Sequence, residues 1–257
     1  MKMSIEEKLR EYHGYVRNSV GKWKSQLDIS EESIGKILNY LEIFNGRKIR
    51  KILRDAVNQN KKLIGSNSCY IFKLGPLGKS GEILAYEFFH TFRNYKHKLK
   101  EIWEIPQLPE NSKIVFIDDL VGTGTQSVKQ LKKLSQMLNP SHSGYLLCLC
   151  ATPQGIKKIE ENTTISVIPG VILKEKTHQH LNDKCNNFNS TEKNFLRDLN
   201  ARLQDPGRGY YANVGLLLAF YFTVPNNTLP IIWKDNASYK DDSGNQRHWR
   251  ALLPRDY

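Results

Sequence analysis

Apolar and polar positions follow a helical rhythm over the first part of the chain and gather into strand-like runs thereafter. From residue 4 to about 63, Ile34, Ile37, Leu38, Leu41 and Ile43 keep the spacing of one helix face, and Ser4 with Glu7 has the spacing of a capping box. This stretch is therefore expected to be helical throughout. At Ser68 the pattern becomes a short apolar run, SCYIFKL, which predicts a buried strand, followed by a helix from near Gly81 that carries Ile83, Leu84, Phe88, Phe89 and Phe92. After a proline-containing loop, Ile114 to Ile117 predicts another buried strand, stopping at Asp118 and Asp119. Val128, Leu131, Leu134 and Met137 then resume helical spacing up to Leu138. GYLLCLCA and TISVIPGVIL read as two further strands. Strands alternating with helices imply an α/β fold, with a mostly parallel sheet flanked by helices.

Beyond residue 182 the rhythm breaks. A polar stretch contains a helical segment around Thr191 to Leu203, and VGLLLAFYFTV is apolar enough for a buried strand or a core helix. In PNNTLPIIW, Asn226, Asn227 and Thr228 suit either a donor-rich loop facing a substrate or a connecting turn, and the turn is preferred because Asn and Pro are ordinary turn residues. No internal repeat or long low-complexity linker is present. The expected organisation is a helical N-terminal extension over 1–65, an α/β core over 66–181, and a C-terminal extension over 182–257 that completes the core.

Composition narrows the class. With 257 residues, 39% hydrophobic and 25% charged, the chain reads as an ordinary globular protein. No run approaches the ~20 apolar residues of a membrane span, and MKMSIEEKLR lacks a signal-peptide pattern, so no membrane association and a cytoplasmic location are expected. Cys69, Cys148, Cys150 and Cys185 lack metal-ligand spacing and read as buried thiols; His178 and His180 lack a third ligand, so no protein-held metal is expected. The formal net charge of +12 suits phosphorylated substrates, a nucleic-acid partner, or both. Its clusters, Lys22 to Lys24, Arg47 to Arg54 and Lys96 to Lys100, read individually as solvated helix faces.

The chemistry concentrates in FIDDLVGTGTQS, Phe116 to Ser127. A helix N-terminus presents N–H groups without intrahelical partners and a partial positive charge, and glycines let the backbone curl around an anion. Gly122 and Gly124 would shape such a cradle, with the hydroxyls of Thr123, Thr125 and Ser127 adding donors. Asp118 and Asp119, just upstream, can accept hydrogen bonds from adjacent ribose hydroxyls. A second loop, LGPLGKSGE, offers Gly75, Gly78 and Gly81 for close backbone approach, Lys79 as a point charge and Ser80 as a donor at a helix start. It is not a Walker A loop, because the required first glycine would fall at Lys73.

The first of these strings resembles the phosphoribosyl diphosphate motif of type I phosphoribosyltransferases. Asp118 and Asp119 match its acidic pair, Leu120 and Val121 its aliphatics, and Thr123 and Gly124 its Thr-Gly turn; Gly122 and Gln126 depart from the commoner residues. The resemblance implies 5-phosphoribosyl 1-diphosphate as substrate, with magnesium brought by it. It implies Asp118, Asp119 and Lys79 as catalytic groups, and Gly122, Thr123, Gly124, Thr125, Gln126, Ser127, Gly78, Ser80 and Gly81 as binding residues. It also implies a loop over Arg93 to Ser112, with Lys96, Lys98, Lys100 and Trp103, that closes over the substrate. GYYANVGLLLAFYFTVPNNTLPIIW, with Trp23 and HWRALLPR, resembles phosphoribosyltransferase-like domains of bacterial conflict systems, some encoded beside retron-type reverse transcriptases. That likeness implies a toxic antiphage effector held in check by a reverse transcriptase or nucleic-acid partner. The alternative is an idle ligand-sensing or nucleic-acid-binding module that keeps the sugar-phosphate site. The acceptor and the oligomeric state stay open.

Overall fold

A computed structural model of the chain describes residues 4–16, 19–75, 80–203, 214–241 and 243–255. Among these, the strands are β1 (Glu42–Phe44), β2 (Cys69–Lys73), β3 (Lys113–Val121), β4 (Ser143–Ala151), β5 (Ile165–Ile172), β6 (Leu218–Phe220), β7 (Ala237–Lys240) and β8 (Gln246–Trp249). The chain divides into two compact units, one of residues 46–173 and one of residues 1–45 with 174–257.

The 46–173 unit is a parallel four-stranded sheet in the order β2-β3-β4-β5. Ile114, Val115, Phe116 and Ile117 of β3, and Leu146 to Ala151 of β4, are all buried, as central strands covered on both faces require. β5 lies at the edge and tolerates Pro169, whose missing N–H is harmless there. Helices Thr125–Ser135 and Pro153–Asn162 pack Leu131 and Ile159 against Phe72, Phe116 and Leu146 on one face. Helices Gly46–Gln59 and Ser80–Thr91 cover the other face. There Gly170 lies so close that an added Cβ would come within 2.3 Å of Ile52 Cγ2.

Where the chain changes direction decides where a ligand can enter. After β2 and helix Ser80–Thr91, the chain makes a single parallel bridge from Leu99 to Ile71 on the outer edge of β2, with Lys100 N–H donating to Ile71 O at 3.0 Å. It then crosses to β3, on the opposite edge of β2, and later strands add outward from there. The reversal between β2 and β3 is the kind of point at which open α/β sheets hold ligands, in the crevice beyond the strands' carboxyl ends.

The second unit joins the two ends of the sequence. β1 pairs in parallel with β6, and β7 with β8 in an antiparallel hairpin. Trp23, Ile37, Leu41, Leu217, Ile231, Trp249 and Leu252 share one core. Trp23 Nε1 donates to Ile231 O at 2.7 Å, and Tyr12 OH to Pro254 O at 2.8 Å. His180 is buried against Tyr40 and Phe188, and burial pushes its pKa down to about 3. Thr228 is buried too, donating to Leu218 O at 2.6 Å, which makes the Asn226–Thr228 stretch part of this core's framework.

Two expectations change. The stretch from 4 to 63 is not continuous helix: helices Ile5–Leu9, Ser19–Lys24 and Glu31–Tyr40 give way to β1 before helix Gly46–Gln59 resumes. Ile43 fits helical spacing, but its backbone partner is Ala219, far along the chain, and local periodicity cannot register such a partner. The strand expected to stop at Asp118 runs on to Val121, because ladder pairing with Cys148, Cys150 and Ala151 continues beneath the acidic side chains. Helix Pro153–Asn162 lay unread between two apolar runs, although Thr152 followed by Pro153 is a helix-start signal. The Ser4–Glu7 capping box is present. The compact units divide at 45/46 and 173/174.

Candidate functional site

The carboxyl ends of β2 and β3 bring together most of the residues singled out from the sequence. Leu74, just past β2, donates its N–H to Ile117 O at 3.1 Å, and the chain turns at Gly75 with a positive φ of 97°. Gly78 and Lys79 lie outside the described residues. Ser80 opens helix Ser80–Thr91, and its hydroxyl donates to the Asp119 carboxylate, tying the two loops together. Gly81 is pressed against Leu74 O, which an added Cβ would approach to 2.1 Å. It therefore serves close packing of helix on strand.

The acidic pair is turned inward. Asp119 is buried and Asp118 half-buried. Asp118 Oδ1 accepts from Asp119 N–H at 2.9 Å, and Asp119 Oδ1 accepts from Leu120 N–H at 2.7 Å. The two carboxyls also hydrogen-bond each other. Burial raises both pKa values, and for Asp118 the neighbouring Asp119 charge pushes further, so Asp118 is raised well above the carboxylate range; Ser80 and Asp118 partly offset the shift at Asp119. Both carboxyls are thus shifted toward the protonated form, Asp118 more strongly. Among the described residues neither has a cationic partner. Cys148, opposite Asp118 on β4, is likewise held protonated by burial and by nearby negative charge.

Beyond Val121 the chain forms the cradle. Gly124 caps helix Thr125–Ser135 with a left-handed φ of 74°. Val128 is the first residue to close an intrahelical bond, to Gly124 O at 2.8 Å. Thr125 N–H reaches Thr123 Oγ1 at 3.5 Å, and the N–H groups of Gln126 and Ser127 have no acceptor among the described residues. The loop is braced by the end of β4 and the helix that follows it. Thr152 N–H donates to Val121 O at 2.9 Å and its hydroxyl to Gly122 O at 2.6 Å, while the same hydroxyl caps helix Pro153–Asn162 by accepting from Gly155 N–H at 3.0 Å. Gly155 allows the approach: an added Cβ would meet Gly122 O at 2.3 Å. Lys158 Nζ donates to Thr125 Oγ1 at 2.7 Å. Thr152, Gly155 and Lys158 were missed in the sequence; the Thr-Pro pair was the available signal.

The segment expected to close over the site has its own internal bonds. It forms short 3-10 turns, Arg93–Lys98 and Ile102–Gln107. Lys98 is buried, donating to Ser66 O, and Lys100 pairs with Glu104 at 3.0 Å; Trp103 is exposed. No group of three His, Cys, Asp or Glu side chains able to hold a metal occurs among the described residues. In that set, no helix is long and apolar enough to cross a membrane.

The 46–173 unit thus carries an acidic pair and a glycine-threonine helix start at the switch point of a parallel α/β sheet. The PRTase-CE family model matches residues 20–255, nearly the whole chain, and the chain belongs to that family. Solved structures similar in part include orotate phosphoribosyltransferase from Aeropyrum pernix, at 19% identity and a TM-score of 0.36, covering 50% of this chain and 73% of that one. A hypoxanthine-guanine-xanthine phosphoribosyltransferase matches at 14% identity and a TM-score of 0.37, covering 51% and 77%.

Proposed function

We propose that this protein binds 5-phosphoribosyl 1-diphosphate in the crevice between β2 and β3 and breaks its bond to diphosphate, transferring the phosphoribosyl group to an acceptor or to water. The supporting observation is the inward-turned Asp118–Asp119 pair, hydrogen-bonded to Ser80 and followed directly by open backbone donors at Gln126 and Ser127. In this reading the cradle Gly122–Ser127 takes the 5-phosphate, and Asp118 and Asp119 take the ribose hydroxyls. As the anomeric bond breaks, positive charge grows on the ring, and the ionised pair stabilises it electrostatically. Gly78, Lys79, Ser80 and Gly81 receive the departing diphosphate.

The donor set fits a substrate-carried magnesium ion: the two desolvated carboxyls, without a cationic partner among the described residues, suit a hard ion held largely by substrate oxygens. When bound, magnesium neutralises charge on the diphosphate. Both pKa values are raised, so ionising the pair to serve a cation is expected to release a proton on substrate binding.

The test is diphosphate release from 5-phosphoribosyl 1-diphosphate with magnesium, beside calorimetric binding of ribose 5-phosphate. The wild type is expected to do both, and the variant carrying Asp118→Ala and Asp119→Ala neither. Binding without release under any partner condition leaves the idle ligand-sensing module; loss of both in the wild type removes the site. The finer role we infer is that of a toxic antiphage effector restrained by a nucleic-acid or reverse transcriptase partner. The C-terminal resemblance supports it, and the +12 charge is compatible with such a partner. Its test is growth arrest on expression without neighbouring genes, abolished by the double substitution.

A further inference from the structure

We propose that Lys158, outside the acidic-pair motif, completes the phosphate subsite and makes it selective for a terminal phosphomonoester over a phosphodiester. The inference rests on the sugar-phosphate reading above and adds the residue that sets the selectivity of its phosphate subsite. Lys158 lies on helix Pro153–Asn162, whose start is held against the cradle by Thr152 and Gly155. Its ammonium has no carboxylate partner among the described residues. The acids of its own helix are otherwise engaged: Glu161 lies 3.6 Å from Lys157, and Glu160 accepts from Val167 N–H at 3.0 Å.

Proton accounting at Thr125 gives the direction of the site. Thr125 Oγ1 accepts from Lys158 Nζ at 2.7 Å and from the Thr123 hydroxyl at 3.3 Å. A hydroxyl oxygen has two acceptor positions, and both are taken. Its own proton is left to donate, and no group among the described residues accepts it. The free N–H groups of Gln126 and Ser127 adjoin it, so the subsite consists of donors plus one ammonium. A terminal phosphomonoester carries nearly two negative charges near neutral pH, with a second pKa of about 6. A diester carries one. A backbone cradle accommodates either, whereas an added full positive charge favours the dianion. The class of ligand is thus a 5-phosphorylated pentose with a free phosphate end, not a dinucleotide whose ribose 5-oxygens lie within a diphosphate bridge.

The experiment is calorimetric binding of ribose 5-phosphate and of a diphosphate-bridged dinucleotide to the full chain, comparing wild type with Lys158→Ala, Lys158→Arg and a Lys157→Ala control, from pH 5 to 8. Lys158→Ala is expected to weaken ribose 5-phosphate about tenfold, in line with one lost charge-assisted hydrogen bond. It should leave the dinucleotide unchanged, with Lys158→Arg restoring most of the loss and Lys157→Ala without effect. The rise in wild-type affinity as the phosphate loses its second proton should shrink in Lys158→Ala. If that variant does not fold, Lys158→Gln, which keeps a donor for Thr125 without the charge, gives the same readout. Wild-type affinity and pH profile in Lys158→Ala, with binding still lost in Asp118→Ala, overturn this inference and leave the sugar-phosphate reading intact. No ribose 5-phosphate binding by the wild type removes both.

Discussion

At the scale of single residues, the acidic pair carries the most specific expectation. Asp118 has a folded-state pKa raised well above its unfolded value, first by burial and then by Asp119. The folded state therefore holds that proton more tightly than the unfolded chain. Its contribution favours folding at low pH and is lost as pH rises from the unfolded carboxyl value, about 3.9, toward the raised one. Asp118→Asn removes the charge while keeping much of the shape. It should raise the melting temperature at pH 8 more than at pH 4 and abolish diphosphate release; equal shifts at both pH values would contradict the raised Asp118 pKa. Stability gained where activity is lost is the usual relation at strained functional sites. Gly155 gives a second expectation. Its missing Cβ would sit 2.3 Å from Gly122 O and 2.8 Å from Val121 Cγ1, both parts of the cradle's own strand and loop. Gly155→Ala should cost about 1–3 kcal/mol in urea unfolding and weaken ribose 5-phosphate binding together with stability.

At the scale of elements, Thr152 shows how one side chain can serve both a helix and a neighbouring loop. It caps helix Pro153–Asn162 through Gly155 N–H and holds the β3 loop through Gly122 O. Thr152→Val, close in shape, loses the cap and leaves a buried carbonyl unpaired, for roughly 2 kcal/mol. Thr152→Ser, which keeps the hydroxyl, should recover most of that, as chemical denaturation would register. The elements also show what a sequence displays. β3 and β4 were legible because both faces are buried and their apolar runs are unbroken. The cradle helix was legible because Val128, Leu131 and Leu134 form one stripe against the sheet. β1 was not, since three residues with a distant partner leave no local period, and the continuation of β3 through Asp118 and Asp119 was hidden because ladder bonds are made by backbone.

At the scale of the whole molecule, the net charge of +12 predicts sequence-independent attraction to nucleic acid. A single-stranded oligonucleotide should bind with log K falling linearly in log salt, by about 0.7 per phosphate contacted. Fluorescence anisotropy from ~50 to ~300 mM salt measures the slope, and undetectable binding at the low end would count against a nucleic-acid partner. The pairing of the chain's two ends into one unit is likewise a property of the whole. Trp23 with Ile231, and Tyr12 with Pro254, meet across nearly the full sequence.

The sequence by itself determined the parallel α/β core and the composition of the candidate site, because both rest on short-range order: unbroken apolar runs, an acidic pair, and a glycine-threonine helix start. Tertiary structure alone decided that the switch point lies between β2 and β3, that Ser80 bonds Asp119, and that Thr152, Gly155 and Lys158 support the cradle from the next helix. The physical reason is distance along the chain. Hydrogen bonds and close approaches between residues dozens of positions apart leave no periodic trace, and they exist only once the strands have paired.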